Sequence, residues 1–145
     1  MPGVTRTFQV AAPPRAVVAY LANLSHAEQW DPATVRCIRV GVGPIQTGAR
    51  WFRESKIGHV RLGLTYTLEE LSETRVAFTG RRGGVVSIEA IDISPSGAGS
   101  TVSYENRIDL EGAARLAVPL AKPLLGRAGV DRERRMASIL NSLPR

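Results

Sequence analysis

Seven side chains offer the chemistry of this 145-residue chain: Trp51, Arg53 and Ser55 at alternating positions, then Tyr66, Tyr104, Asn106 and Trp30. Aromatic rings, a guanidinium, hydroxyls and an amide set among apolar neighbours suit one task. They can grip the polar end of an otherwise apolar molecule inside a pocket. Trp51, Arg53 and Ser55 share one face of an alternating stretch, and Arg50, Phe52, Glu54 and Lys56 share the other. The second set holds three charges, so Trp51 is the inward residue and carries Arg53 and Ser55 with it. In the competing reading Arg53 sits at the wet end of its strand and the two tyrosines are plain core. Asn106 is a lone amide in an apolar row and needs partners if buried. Trp30 is either a core plug at the end of a short helix or an aromatic at a pocket rim.

Other chemistries find little support. No G-x-S-x-G stands in the chain, and Cys37, the single cysteine, lies in a strand as a small buried hydrophobe. No C-x-x-C, H-E-x-x-H or acidic calcium loop is present, so no metal is expected, and no cofactor either. Gly43 to Gly48 has the glycine spacing of a phosphate loop, but Ala49-Arg50 replaces the Lys-Ser/Thr that would hold phosphate and magnesium. A hairpin turn accounts for it better. His59 stands beside Gly58 at a turn, either as a surface residue or as a general base at a pocket mouth; His26 is helical and exposed.

The elements that must position these groups follow from periodicity. Val4–Val10 alternates as a strand, and Pro13-Pro14 ends it and opens a helix carrying Val17, Tyr20, Leu21 and Leu24. Ser25–Trp30 is a second short helix, opened by a Ser25/Glu28 capping box and closed by Asp31-Pro32. Six further strands are expected at Arg36–Val40, Ala49–Lys56, Val60–Leu68, Thr74–Thr79, Val85–Ile93 and Val102–Leu110, with Ser94–Gly99 as a loop. Hairpin spacing makes the sheet antiparallel, about seven strands in all. Leu125, Gly129, Arg132, Met136, Ile139, Leu140 and Leu143 then recur at three and four, which predicts a helix that starts as early as Ala113, with Pro119 and Pro123 breaking or kinking its first part and its main run over 124–143. The class is α+β. The final helix is the element long enough to cover the sheet, and the space between them is the expected cavity.

Length and composition allow one domain over 1–145 with a sizeable core. Lys and Arg number 19 against 13 Asp and Glu, but residues 1–112 carry only +1 and residues 113–145 carry +5. Arg127, Arg134 and Arg135 form a solvated helix face, or one that attracts an anionic lipid or an acidic protein. Nucleic acid is a weak fit, because no interleaved aromatics accompany the arginines. The longest apolar run, Ala16–Ala22, is far too short to span a bilayer and makes a poor signal peptide, so the expected location is the cytoplasm. Oligomeric state is left open.

The order of elements resembles the helix-grip fold of START lipid-transfer domains, the birch-pollen allergens and bacterial polyketide cyclase/dehydrase-like proteins. Four local motifs carry the resemblance: Phe8-x-Val10-x-Ala12-Pro13, Trp30-Asp31-Pro32, Gly43-Pro44 followed by Gly48-Ala49-Arg50-Trp51, and Gly99-Ser100-Thr101 leading to Tyr104. The resemblance covers about residues 4–143. The resemblance implies a curved sheet wrapped around the C-terminal helix, two short helices after the first strand, and a hydrophobic ligand, lipid- or polyketide-like. The alternating Trp51, Arg53 and Ser55 are similar to the pocket strand of aromatase/cyclases. That likeness implies an alternative role as a polyketide cyclase/dehydrase, with Arg53 stabilising an enolate and a tyrosine acting as acid. A third reading is an interaction module using the arginine-rich helix.

Overall fold

The computed structural model describes residues 3–112 and 118–143, with side chains for all of these except 3, 57 and 118–129. Strand β1 (Gly3–Val10) leads into helix α1 (Pro14–Leu21), a single 3-10 turn (Leu24–His26) and helix α2 (Ala27–Trp30). Strands β2 (Thr34–Val40), β3 (Arg50–Ile57), β4 (Val60–Leu71), β5 (Arg75–Arg82), β6 (Val85–Ser96) and β7 (Gly99–Leu110) follow, and helix α3 (Val118–Asn141) closes the chain.

All seven strands form one antiparallel sheet in the order β1-β7-β6-β5-β4-β3-β2. Each strand from β2 to β6 pairs with the next in sequence, and β1 is added beside β7. This is the architecture of the START and birch-pollen-allergen helix-grip fold. Period-two alternation points Trp51, Tyr66, Leu68, Phe78, Ile91, Val102 and Tyr104 to one face, where all are buried. Helices cover that face: Val17 and Leu21 from α1, Ala27 and Trp30 from α2, Met136 and Leu140 from α3.

Three local expectations are corrected. The capping box over Ser25 and Glu28 does not form: Asn23 Oδ1 accepts the Ser25 N–H at 3.1 Å, and Glu28 Oε2 instead accepts the Cys37 N–H at 2.7 Å. Tying the helix to β2 satisfies a strand N–H that would otherwise lack a partner. Ser94-Pro95-Ser96 belongs to β6, with Pro95 registered against Ser100, because the hairpin tightens onto Gly97-Ala98. Pro119 and Pro123 lie inside α3, which runs 24 residues without a break. Pro119 is in the first turn, where its missing N–H costs nothing.

Gly80 permits one close approach that matters below. It is registered against Tyr66, and a Cβ built there would fall 2.5 Å from the Tyr66 ring. Gly80→Ala therefore forces the ring off its seat. The expected loss is about 1–2 kcal/mol in urea unfolding, after the smaller gain from stiffening the unfolded chain. An unchanged midpoint would mean that Tyr66 is not held over Gly80.

Candidate functional site

Arg53 lies in the middle of β3 on the covered face and is 2% exposed. Its Nε donates to Thr34 Oγ1 at 2.9 Å, its Nη1 to Glu89 Oε2, and its Nη2 to Asp31 Oδ2. The rings of Trp30 and Tyr66 stand 5.5 and 5.2 Å from its Cζ. Each partner comes from a different element. Asp31 follows α2, Thr34 opens β2, Glu89 is central in β6 and Tyr66 is central in β4.

The network extends further. Asp31 Oδ1 accepts the Ala33 N–H at 3.0 Å, and its Oδ2 accepts the Thr34 hydroxyl at 3.0 Å. Glu89 Oε1 accepts the Tyr104 hydroxyl. From α3, Arg132 brings its Nε to 3.4 Å from Asp31 Oδ1 and lays its guanidinium 5.2 Å from the Tyr104 ring centroid. Two acids and two arginines thus share one buried site that joins sheet, α2 corner and α3. Burial works against charge in the Asp31 carboxyl, but Arg132 and Arg53, with the Ala33 and Thr34 hydrogen bonds, outweigh it and draw the pKa down to about 2. Burial, reinforced by Glu89, pushes the Tyr66 hydroxyl up to about 12. Burial and then Glu89 hold Tyr104 well above the ordinary tyrosine value, although Arg132 pulls the other way. Burial alone would lower Arg132, yet Tyr104, Asp31 and Glu89 raise it, so it keeps its charge.

The remaining residues singled out in the sequence fall around this centre. Asn106 Nδ2 donates to Ser87 Oγ at 3.2 Å and to the Ile88 carbonyl at 3.3 Å. Trp51 is fully buried, edge-on to Phe78 at 5.7 Å, with the Arg39 guanidinium 5.4 Å from its ring. Trp30 packs edge-on to Tyr104 at 5.9 Å. Ser55 is half-buried and registered against Thr34 and Leu62, and its hydroxyl makes no hydrogen bond to the described residues. It stands one step outside the network. The wet-end reading of Arg53 is thereby corrected, since bulk water does not reach it.

His59 is exposed in the β3–β4 turn. His26, expected to be exposed, is half-buried: its Nδ1 lies 2.7 Å from the Tyr20 carbonyl and its ring stacks on Tyr20 at 4.2 Å. Burial pushes the Cys37 thiol up to about 12, which makes it a poor nucleophile. Arg134 and Arg135 are exposed, and Arg135 Nη1 donates to the Gln29 carbonyl at 3.3 Å; the Arg127 side chain lies outside the described residues. A groove of about 800 Å³ lies away from the network, between α1 and the β4–β5 turn, and is lined by Pro14, Val18, Ala19, Ile45, Leu71 and Pro95 among others. Among the described residues no group of His, Cys, Asp and Glu is arranged to hold a metal ion, and no helix is long and apolar enough to cross a membrane.

Sequence reasoning missed Asp31, Thr34, Ser87, Glu89 and Arg132. For two of these the signal was present. Glu89 shares the inward parity of Ile91 and Ile93, and Arg132 interrupts an apolar helical stripe.

The sequence model of a family described as polyketide cyclase / dehydrase and lipid transport matches residues 1–140. No curated protein matches. Solved structures match along nearly the full chain. A START superfamily protein from Mycobacterium smegmatis has a TM-score of 0.78 at 14% identity, covering 98% of this chain and 99% of that one. The Zhui aromatase/cyclase from Streptomyces sp. R1128 has 0.76 at 15%, covering 95% and 92%. A STAR-related lipid transfer protein from Xanthomonas axonopodis has 0.72 at 14%, covering 97% and 86%. At such identity the likeness is one of fold.

Proposed function

Because this chain belongs to the polyketide cyclase/dehydrase and lipid transport family, we propose that it binds one hydrophobic small molecule, lipid- or polyketide-like, between its sheet and α3. The observation that carries the reading is a shortage of acceptors in the interior. The indole N–H groups of Trp30 and Trp51 and the Nε of Arg132 are buried without a hydrogen-bond partner. Buried donors are paired in nearly all native interiors, so unpaired ones speak for an absent acceptor. Apolar walls supply affinity, and such donors fix orientation.

A polyketide cyclase asks more of the same residues. Arg53 would have to stabilise an enolate and Tyr104 would have to give up a proton. Arg53 already bonds Asp31, Glu89 and Thr34 and is flanked by two rings. That commitment favours binding over turnover.

The test is titration with Nile red, a neutral apolar dye whose emission rises in apolar surroundings. Saturable binding of one dye per chain is expected, displaced by a long-chain lipid. Ala19→Trp, which fills the outer groove, is expected to leave the titration unchanged. No saturable binding would end the reading, and loss of binding in Ala19→Trp would move the site to the groove.

A further inference from the structure

The hydrogen-bond partners of the interior separate its two arginines. Arg53 is fully engaged. Arg132, 5% exposed, has an Nε without a hydrogen-bond partner; that Nε lies 3.4 Å from its ion-pair partner Asp31 Oδ1, which already takes the Ala33 N–H. Around the Tyr104 ring stand two more donors in the same condition. Trp30, edge-on at 5.9 Å, has an unpartnered indole N–H. Arg6 is registered against Tyr104 across β1 and β7, so both side chains leave the same face, and the buried Arg6 Nε has no partner. Every carboxyl oxygen nearby already accepts at least one hydrogen bond: Asp31 from Ala33, Thr34 and Arg53, and Glu89 from Arg53 and Tyr104.

Charge points the same way. Asp31, Glu89, Arg53 and Arg132 cancel, and Arg6 adds one positive charge beside them. A neutral ketone or alcohol would leave that charge unanswered. A phosphate brings close to two negative charges. One carboxylate brings a single charge and two oxygens, which is what these three unpartnered N–H donors lack.

We propose that the patch formed by Arg6, Trp30 and Arg132 around Tyr104 receives a carboxylate, so that the ligand is an amphipathic carboxylic acid with its head at α3 and its apolar body along the sheet. This rests on the binding reading above and narrows it to one chemical class. Arg132 is the selecting residue, and Arg53 holds the fold that presents it.

Displacement of Nile red by oleate and by methyl oleate, below the concentrations at which either forms micelles, tests the idea. Oleate is expected to bind about tenfold more tightly or better, the scale of one charge-assisted contact. Arg132→Gln is expected to bind acid and ester alike. Arg6→Gln, at a half-buried strand position that tolerates change more readily, is expected to narrow the gap, which guards against an Arg132 variant that fails to fold. Equal binding by the unaltered protein would overturn the carboxylate proposal while leaving the binding reading intact. A preference that survives both substitutions would overturn the assignment of residues. Failure of both compounds to bind would overturn the binding reading itself, and this proposal with it.

Discussion

Arg53→Met is expected to destabilise the protein by about 3–5 kcal/mol, measured as the loss of unfolding free energy in urea. Methionine matches the bulk of the stem, so the loss is electrostatic rather than a cavity. Asp31 and Glu89, each 2% exposed, keep their positions and lose the guanidinium that neutralises both. Thr34 loses its Nε donor as well. Desolvation of the two acids is then only partly opposed, by Arg132 on both sides and by the Tyr104 hydroxyl on the Glu89 side. The same logic predicts strong coupling. In the double variant Arg53→Met, Glu89→Leu, part of the stability returns, because the unpaired acid is gone and Asp31 keeps Arg132 as its counter-charge. A loss below about 1 kcal/mol in the single variant would mean that the site is hydrated like a surface pair.

The second large effect is an acid limb in the stability curve. The Asp31 carboxyl is held at about 2 in the fold against an ordinary 3.8. A lowered folded-state value means that the unfolded chain binds the proton first as pH falls. The contribution of Asp31 is therefore complete above 3.8 and disappears as pH drops through about 2. At 1.36 kcal/mol per pH unit, it amounts to about 2 kcal/mol. Arg132 and Arg53 stay charged throughout, so the limb belongs to the acid. Asp31→Asn is less stable at neutral pH and shows a shallower fall over that window. An unchanged slope in Asp31→Asn would place the acid sensitivity elsewhere.

Most of the architecture was legible because it follows periods. The alternation of Val60, Leu62, Leu64, Tyr66 and Leu68 reads directly as a strand with one covered face, and the three-and-four spacing ending at Leu143 reads as the covering helix. At β3 three charges on one side favoured turning Trp51 inward with Arg53, but the pattern alone did not fix the facing, which the burial of Trp51 and Arg53 decides. The partners of Arg53 were not. Asp31 looks like a helix stop, and Thr34 sits before a strand. Glu89 is one acid in a strand, and its meeting with Arg53 needs sheet order and twist that no local pattern encodes. The capping box failed for a related reason. Glu28 has a tertiary acceptor role at Cys37 that outcompetes the local one. Ser94-Pro95-Ser96 looked like a loop because its residue types are those of turns, yet β7 pairs with it.

The arrangement also redistributes roles among the residues first singled out. Arg53 and Tyr104 are the centre of a buried scaffold, whereas Arg132, embedded in a helical stripe, is the buried cation with an unpartnered Nε. Trp30 belongs to both groups, as one wall of Arg53 and as a donor beside Tyr104.

Native mass spectrometry of the protein incubated with oleate tests the central claim most directly. The account predicts one oleate per chain, retained under gentle ionisation, absent from a chain unfolded in acid before incubation, and sharply reduced in Arg132→Gln. A spectrum showing only the bare chain, or several oleates added without a preferred stoichiometry, would contradict it.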